Sequence, residues 1–169
     1  MEKSDKRTRK LLKNLTDIIF VIMIAVLAII YLPGLAGYKG YCVLSASMQP
    51  KYSVGSMVYV RHADMQDITT GDVITFYINE DTHRVVGKES ESGGFLTKGD
   101  ANEVNDGGTV LYDNIVGKVA FSIPLLGYVS SWISSTSGKS IVIGVLLVIM
   151  LIEIIAGRVE RMSCTNALQ

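Results

Sequence analysis

The sequence predicts a mainly β fold, a small antiparallel β domain held between two transmembrane helices. Three observations predict it. Two runs, one near each end, are apolar over the length of a bilayer crossing. The roughly 105 residues between them are rich in short β-branched and aromatic stretches separated by turn residues. The charge, zero overall, is unevenly spread: residues 1–14 hold six Lys/Arg against two acids, about +4, whereas residues 36–139 hold eight basic and eleven acidic residues, about −3.

The first run, Ile18 to Leu32, reads IIFVIMIAVLAIIYL. Taken from Leu15 it gives about 18 residues, enough to cross hydrocarbon at 1.5 Å per residue. Asp17 falls at its inner edge, and Pro33-Gly34 is expected to end it, so the span is drawn as 15–33. A cleavable leader is the rival reading, but the run is long for one and no small-x-small site is plain at its end. The second run is 140–157, SIVIGVLLVIMLIEIIAG, with Glu153 about one turn from the end flanked by Arg158 and Arg161. Lys/Arg excess marks the cytoplasmic side. The 1–14 tail and the 158–169 tail are therefore expected inside, and the domain at 36–134 outside the cytoplasm. The expected location is the plasma membrane, crossed twice.

Five stretches of the middle segment read as strands: Ser56 to Val60, Asp72 to Ile78, Thr82 to Lys88, Gly93 to Thr97 and Ile115 to Phe121. A short one is expected at Tyr41 to Leu44. Thr70-Gly71-Asp72, Asn79-Glu80-Asp81, Ser92-Gly93-Gly94 and Asp106-Gly107-Gly108 read as turns. Ile123 to Ser134 is apolar, contains Trp132, and is expected to rest at the membrane interface.

Several classes of function are disfavoured. No metal-ligand cluster, phosphate-binding glycine loop or internal repeat is present, so no metal and no cofactor is expected. The basic tail lacks the aromatic or groove-reading pattern of a nucleic-acid binder, so no nucleic-acid partner is expected. Cys42 and Cys164 fall on opposite sides of the membrane in this topology. Cys42 reads as a small apolar strand residue.

A hydrolase needs a nucleophile, a base and a group that orients the base. Only two histidines are available, His62 and His83. His83 opens a strand just after a turn, where its angle can be fixed, and its ordinary pKa of about 6.5 suits a base near neutrality. His62 ends a strand among charged residues and reads as solvated. In Ser45-Ala46-Ser47-Met48-Gln49-Pro50, small residues and a proline make a tight loop from which Ser47 can present its hydroxyl and its own N–H. In the polar loop Lys98 to Asp106, either Asp100 or Asp106 can accept the second ring N–H of the histidine.

Together these segments resemble one family. Ser-Met-x-Pro, then His-Arg-Val, then Lys-Gly-Asp-x-Asn with a further Asp is similar to type I signal peptidase, over about residues 36–128 and with a matching anchor. A histidine where other members carry lysine resembles the archaeal and endoplasmic-reticulum branch, also found in Gram-positive spore-forming bacteria. The resemblance implies Ser47 as nucleophile, His83 as general base and Asp106 as orienting acid. It also implies Ser45 as an oxyanion contact, with Asp100 supporting the site. Ala101 and Asn105 depart from the residues common in the family.

The resemblance further implies a membrane-bound serine endopeptidase that removes N-terminal signal peptides after an A-x-A pattern of small residues. Its implied partners are secretory preproteins, the lipid bilayer and the protein-translocation channel. Two rival expectations stand beside it: a noncatalytic membrane-anchored β module of an assembly complex, and a serine protease of the same fold acting on another membrane substrate.

Overall fold

The computed structural model describes residues 2–77, 81–89 and 93–166, with the side chains of residues 10–11, 13–77, 81–89 and 93–155. The turn residues Asn79, Glu80 and Ser92, and the side chains of Arg158, Arg161 and Cys164, lie outside the described part. The chain divides into two units, residues 1–29 with 133–169, and residues 30–132.

The first unit is helical. It contains most of α1 (Glu2–Leu35) and all of α3 (Thr136–Asn166). Within them, Lys13–Leu35 and Thr136–Ile155 are long and apolar enough to cross a membrane. Ile18, Val21, Ile22, Leu147, Val148 and Leu151 are all exposed. A long apolar helix left mostly uncovered by protein is compatible with a bilayer around it. Both helices outrun the spans drawn from hydropathy. The basic tail continues into the span as one helix, and Pro33 lies inside the last turns of α1 rather than at its end. Hydropathy marks where side chains become apolar, whereas backbone hydrogen bonding continues past that point.

The second unit is built on a curled, wholly antiparallel sheet of seven strands: β1 (Tyr38–Cys42), β2 (Met57–Arg61), β3 (Val73–Phe76), β4 (Thr82–Glu89), β5 (Gly94–Lys98), β6 (Thr109–Val110) and β7 (Ile115–Ile123). Their spatial order is β1-β2-β7-β3-β4-β5-β6. The mainly β fold between two apolar helices is thus the one expected. The segment 123–134 holds a short helix, α2 (Leu126–Ser134), that the sequence reading left unassigned.

Alternation along the strands feeds two cores. Val58, Val60, Val73 and Val116 meet Val43, Met48 and Tyr52 in one. Ile74, Phe76, Val85, Phe95 and Ile115 meet Ile68 and Val110 in the other. Neighbours Val73 and Ile74 point to opposite faces, as a period of two requires. All four residues of β3 are buried because β7 and β4 flank it and both its faces are covered. Each such side chain contributes about 1.5–3 kcal/mol through burial. The two cores clamp the two regions that carry the candidate site: Met48, next to Ser47, is 1% exposed in the first, and β4 and β5 pack on the second.

Candidate active site

Ser47 stands in a loop closed on itself. Gln49 N–H donates to Ala46 O at 3.0 Å and Tyr52 N–H to Met48 O at 2.9 Å. The Gln49-Pro50 peptide is cis. Buried Met48 and Tyr52 hold the loop from below, so the half-buried Ser47 between them and solvent has little freedom. The same loop is tied to the chain leaving β5, where Ala101 N–H donates to Ser47 O at 2.7 Å. That close approach explains the glycine of Lys-Gly-Asp: a Cβ on Gly99 would sit 2.7 Å from Ser47 O.

His83 lies on β4 opposite Ile74 of β3, on the face of the second core, and is 8% exposed. The Phe76 ring meets it edge-on at 6.2 Å between centroids. Its Nε2 is 3.1 Å from Ser47 Oγ, and its Nδ1 is 2.7 Å from Asp106 Oδ2. A carboxylate only accepts hydrogen bonds, so His83 Nδ1–H donates to Asp106 Oδ2. Nε2 is then the acceptor for the Ser47 hydroxyl. Ser45 Oγ lies 2.9 Å from Ser47 Oγ and, in this arrangement, donates to it.

Asp106 is held by a residue that the sequence reading missed. Thr97, fully buried on β5, donates from Oγ1 to Asp106 Oδ2 at 2.7 Å, while Asp106 N–H donates back to Thr97 O at 2.9 Å. Threonine is common on strands, so nothing in its local sequence singles it out.

Asp100, the other candidate acid, faces elsewhere. Arg84 donates to it twice, from Nε to Oδ1 and from Nη2 to Oδ2, both at 2.6 Å, and from Nη1 to Gly71 O at 2.6 Å. This forked pair ties β4 to the chain beyond β5 one residue past His83. The hydrogen bonds to Asp100 raise the Arg84 pKa further. Burial pushes the nearby Tyr52 hydroxyl up, Arg84 opposing and Asp100 adding to the shift. His62 is exposed, beyond the end of β2. Cys42 is a half-buried thiol on β1. Among the described residues, no group of three or more His, Cys, Asp or Glu could hold a metal ion.

The fold and the site define a class: a curled β unit, in a chain with two apolar helices, carrying a hydroxyl, an imidazole and a carboxylate hydrogen-bonded in a row. No family model matches the chain. Among curated proteins, it is 36% identical over 89 residues to signal peptidase I W of Bacillus subtilis, covering 48% of this chain and 47% of that protein. It is 27% identical over 128 residues to signal peptidase complex catalytic subunit SEC11 of Verticillium alfalfae, covering 66% of this chain and 73% of that one. It is 31% identical over 104 residues to signal peptidase complex catalytic subunit SEC11C of Homo sapiens, covering 52% and 53%. The match thus spans about half the length of the first of these relatives. They bear out the resemblance to type I signal peptidase of the histidine-containing branch, and so support a peptidase.

Proposed function

We propose that this chain is a membrane-bound serine endopeptidase that removes N-terminal signal peptides from secretory preproteins on the outer side of the plasma membrane. The observation that carries the reading is the unbroken row Ser47 Oγ, His83 Nε2, His83 Nδ1, Asp106 Oδ2, with separations of 3.1 and 2.7 Å, in a chain similar to signal peptidases.

In this reading the Ser47 hydroxyl attacks the scissile carbonyl carbon as Nε2 of His83 takes its proton. Asp106 holds the ring in the tautomer that leaves Nε2 free and stabilises the imidazolium. The Ser47 N–H and the Ser45 hydroxyl face the developing oxyanion. One such donor contributes roughly 3–4 kcal/mol to the transition state. Collapse of the tetrahedral intermediate breaks the C–N bond, and the imidazolium gives its proton to the leaving amine. Water, deprotonated by the same imidazole, then releases the acyl group and restores Ser47.

The substrate binds extended against a strand edge and presents small residues before the cut, the A-x-A pattern. The two spans confine enzyme and preprotein to one surface, which raises their effective concentration. The basic tail faces the cytoplasm, and the translocation channel delivers the substrate.

Reconstitution of the full chain in lipid vesicles with a panel of preproteins tests this, with cleavage sites read by mass spectrometry and Ser47→Ala as the control. Cuts after small residues that vanish in Ser47→Ala are expected. No cleavage of any preprotein, with Ser47 unlabelled by a fluorophosphonate probe, would overturn the proposal.

A further inference from the structure

The helical unit contains a groove that the chemistry above does not use. It is about 560 Å3 in volume and is lined from both helices, by Asp17 and Phe20 of α1 and by Leu147, Met150 and Glu153 of α3 among others. Its walls are apolar, yet two carboxyl groups face it. Asp17 belongs to the first turns of the Lys13–Leu35 span and Glu153 to the last turn of the Thr136–Ile155 span. One groove touching the start of one span and the end of the other means that the two acids mark the same end of the helix pair. Glu153 Oε1 is buried and, among the described residues, has no hydrogen-bond partner. A carboxyl oxygen removed from water without a partner is costly.

Resting on the signal-peptidase reading, we propose that this groove is a docking site for the signal peptide itself, separate from the site that cuts it. A signal peptide carries cationic residues followed by an apolar segment of about 7–15 residues. The groove has the complementary order, with acids at one end and apolar walls beyond them. The positive-inside rule puts the acid end on the cytoplasmic side. That is the side on which the peptide's cations remain. Asp17 and Glu153 pair with those cations, and Phe20, Leu147 and Met150 take the apolar segment. Glu153 thereby gains a partner that none of the described residues supplies.

Binding separates this from catalysis. The full chain carrying Ser47→Ala, in phosphatidylcholine vesicles, is titrated with two fluorescent signal peptides that differ only in Lys or Gln before the apolar segment. The Lys peptide is expected to bind roughly threefold to tenfold more tightly. Adding Asp17→Asn and Glu153→Gln together should erase that preference and leave the Gln peptide's affinity unchanged. A preference that survives the double substitution assigns the acids to the chain's own cations or to lipid, and overturns the proposal. An equal loss for both peptides assigns them to helix packing, and overturns it too. If the parent chain cleaves nothing and its Ser47 takes no probe, the enzymatic reading fails instead, and the binding preference is still read independently.

Discussion

Thr97 and His83 converge on a single oxygen atom: the threonine Oγ1 and the histidine Nδ1 both lie 2.7 Å from Asp106 Oδ2. Asp106 sits in an irregular loop, so its aim depends on that second contact and on the return bond from its N–H to Thr97 O. Thr97→Val keeps the shape and removes the hydroxyl. Leaving one charged acceptor short of a donor costs about 1–3 kcal/mol, so kcat on a preprotein should fall roughly tenfold or more with KM little changed. Thr97→Ser should restore most of it. Equal kcat for the Val and Ser variants would remove Thr97 from the positioning of the acid.

The three members of the row should fail separately and alike. Ser47→Ala, His83→Ala and Asp106→Ala are each expected to cut processing by about 10^4-fold, with circular dichroism of the full chain unchanged. His62→Ala, altering an exposed residue, should process normally. Asp100→Ala should differ in kind. It releases the Arg84 guanidinium from its forked pair, so thermal stability drops along with activity. Loss of activity in His62→Ala with retention in His83→Ala would sink the base assignment.

Much of this architecture was legible in the residues. Hydropathy finds the two long apolar helices, because runs of about 20 apolar residues stand out against the mixed composition of the rest of the chain. Strands β2, β3, β4, β5 and β7 follow from runs of Val, Ile, Tyr, Phe and Thr between turn residues. β6 was not legible, since Thr109–Val110 is too short for any period to show. Nor was α2, whose Gly127, Val129 and Ile133 carry no strong helical preference.

At the site, two histidines narrowed the choice of base to His62 or His83, whereas the loop alone left Ser47 one serine among many until the resemblance to a family singled it out. Choosing between Asp100 and Asp106 needed the resemblance to a family, because six residues of polar loop give no periodicity by which to aim a side chain. The pairing of Arg84 with Asp100 is likewise a product of register, Arg84 standing opposite Lys98 at the end of β5.

Gly99 is where loop geometry and chemistry meet. Its missing side chain lets the β5 exit approach Ser47 O, and a methyl there would crowd both that carbonyl and the Asn102 amide, whose nitrogen would lie 2.8 Å away. Gly99→Ala should therefore shift the Ser47 loop, at a cost of about 1–3 kcal/mol of stability. Processing should fall much further than stability does, because displacement by about 1 Å can cost on the order of 100-fold in rate. Unfolding temperature and turnover measured on one preparation give the comparison. Wild-type turnover in Gly99→Ala would show that the Ser47 loop tolerates the added methyl.

Acid should weaken the fold through Asp72, which lies between β3 and the turn before it. Burial alone would push its carboxyl up. The Lys118 ammonium at 2.8 Å and the N–H and hydroxyl of Thr69 at 2.8 and 3.0 Å outweigh this and hold it below the ordinary value of 3.8. Because the folded pKa is the lower one, the folded state binds fewer protons at this group. Its stabilisation is therefore complete above the unfolded value and drains away as pH falls through the folded one. Asp72→Asn should lower the unfolding temperature of the full chain in detergent by a constant amount above about pH 5, with the gap closing below about pH 4. Lys118→Met should reproduce part of the loss, the Thr69 bonds remaining. A gap of the same size at pH 3 and pH 7 would mean that Asp72 acts through packing rather than through its charge.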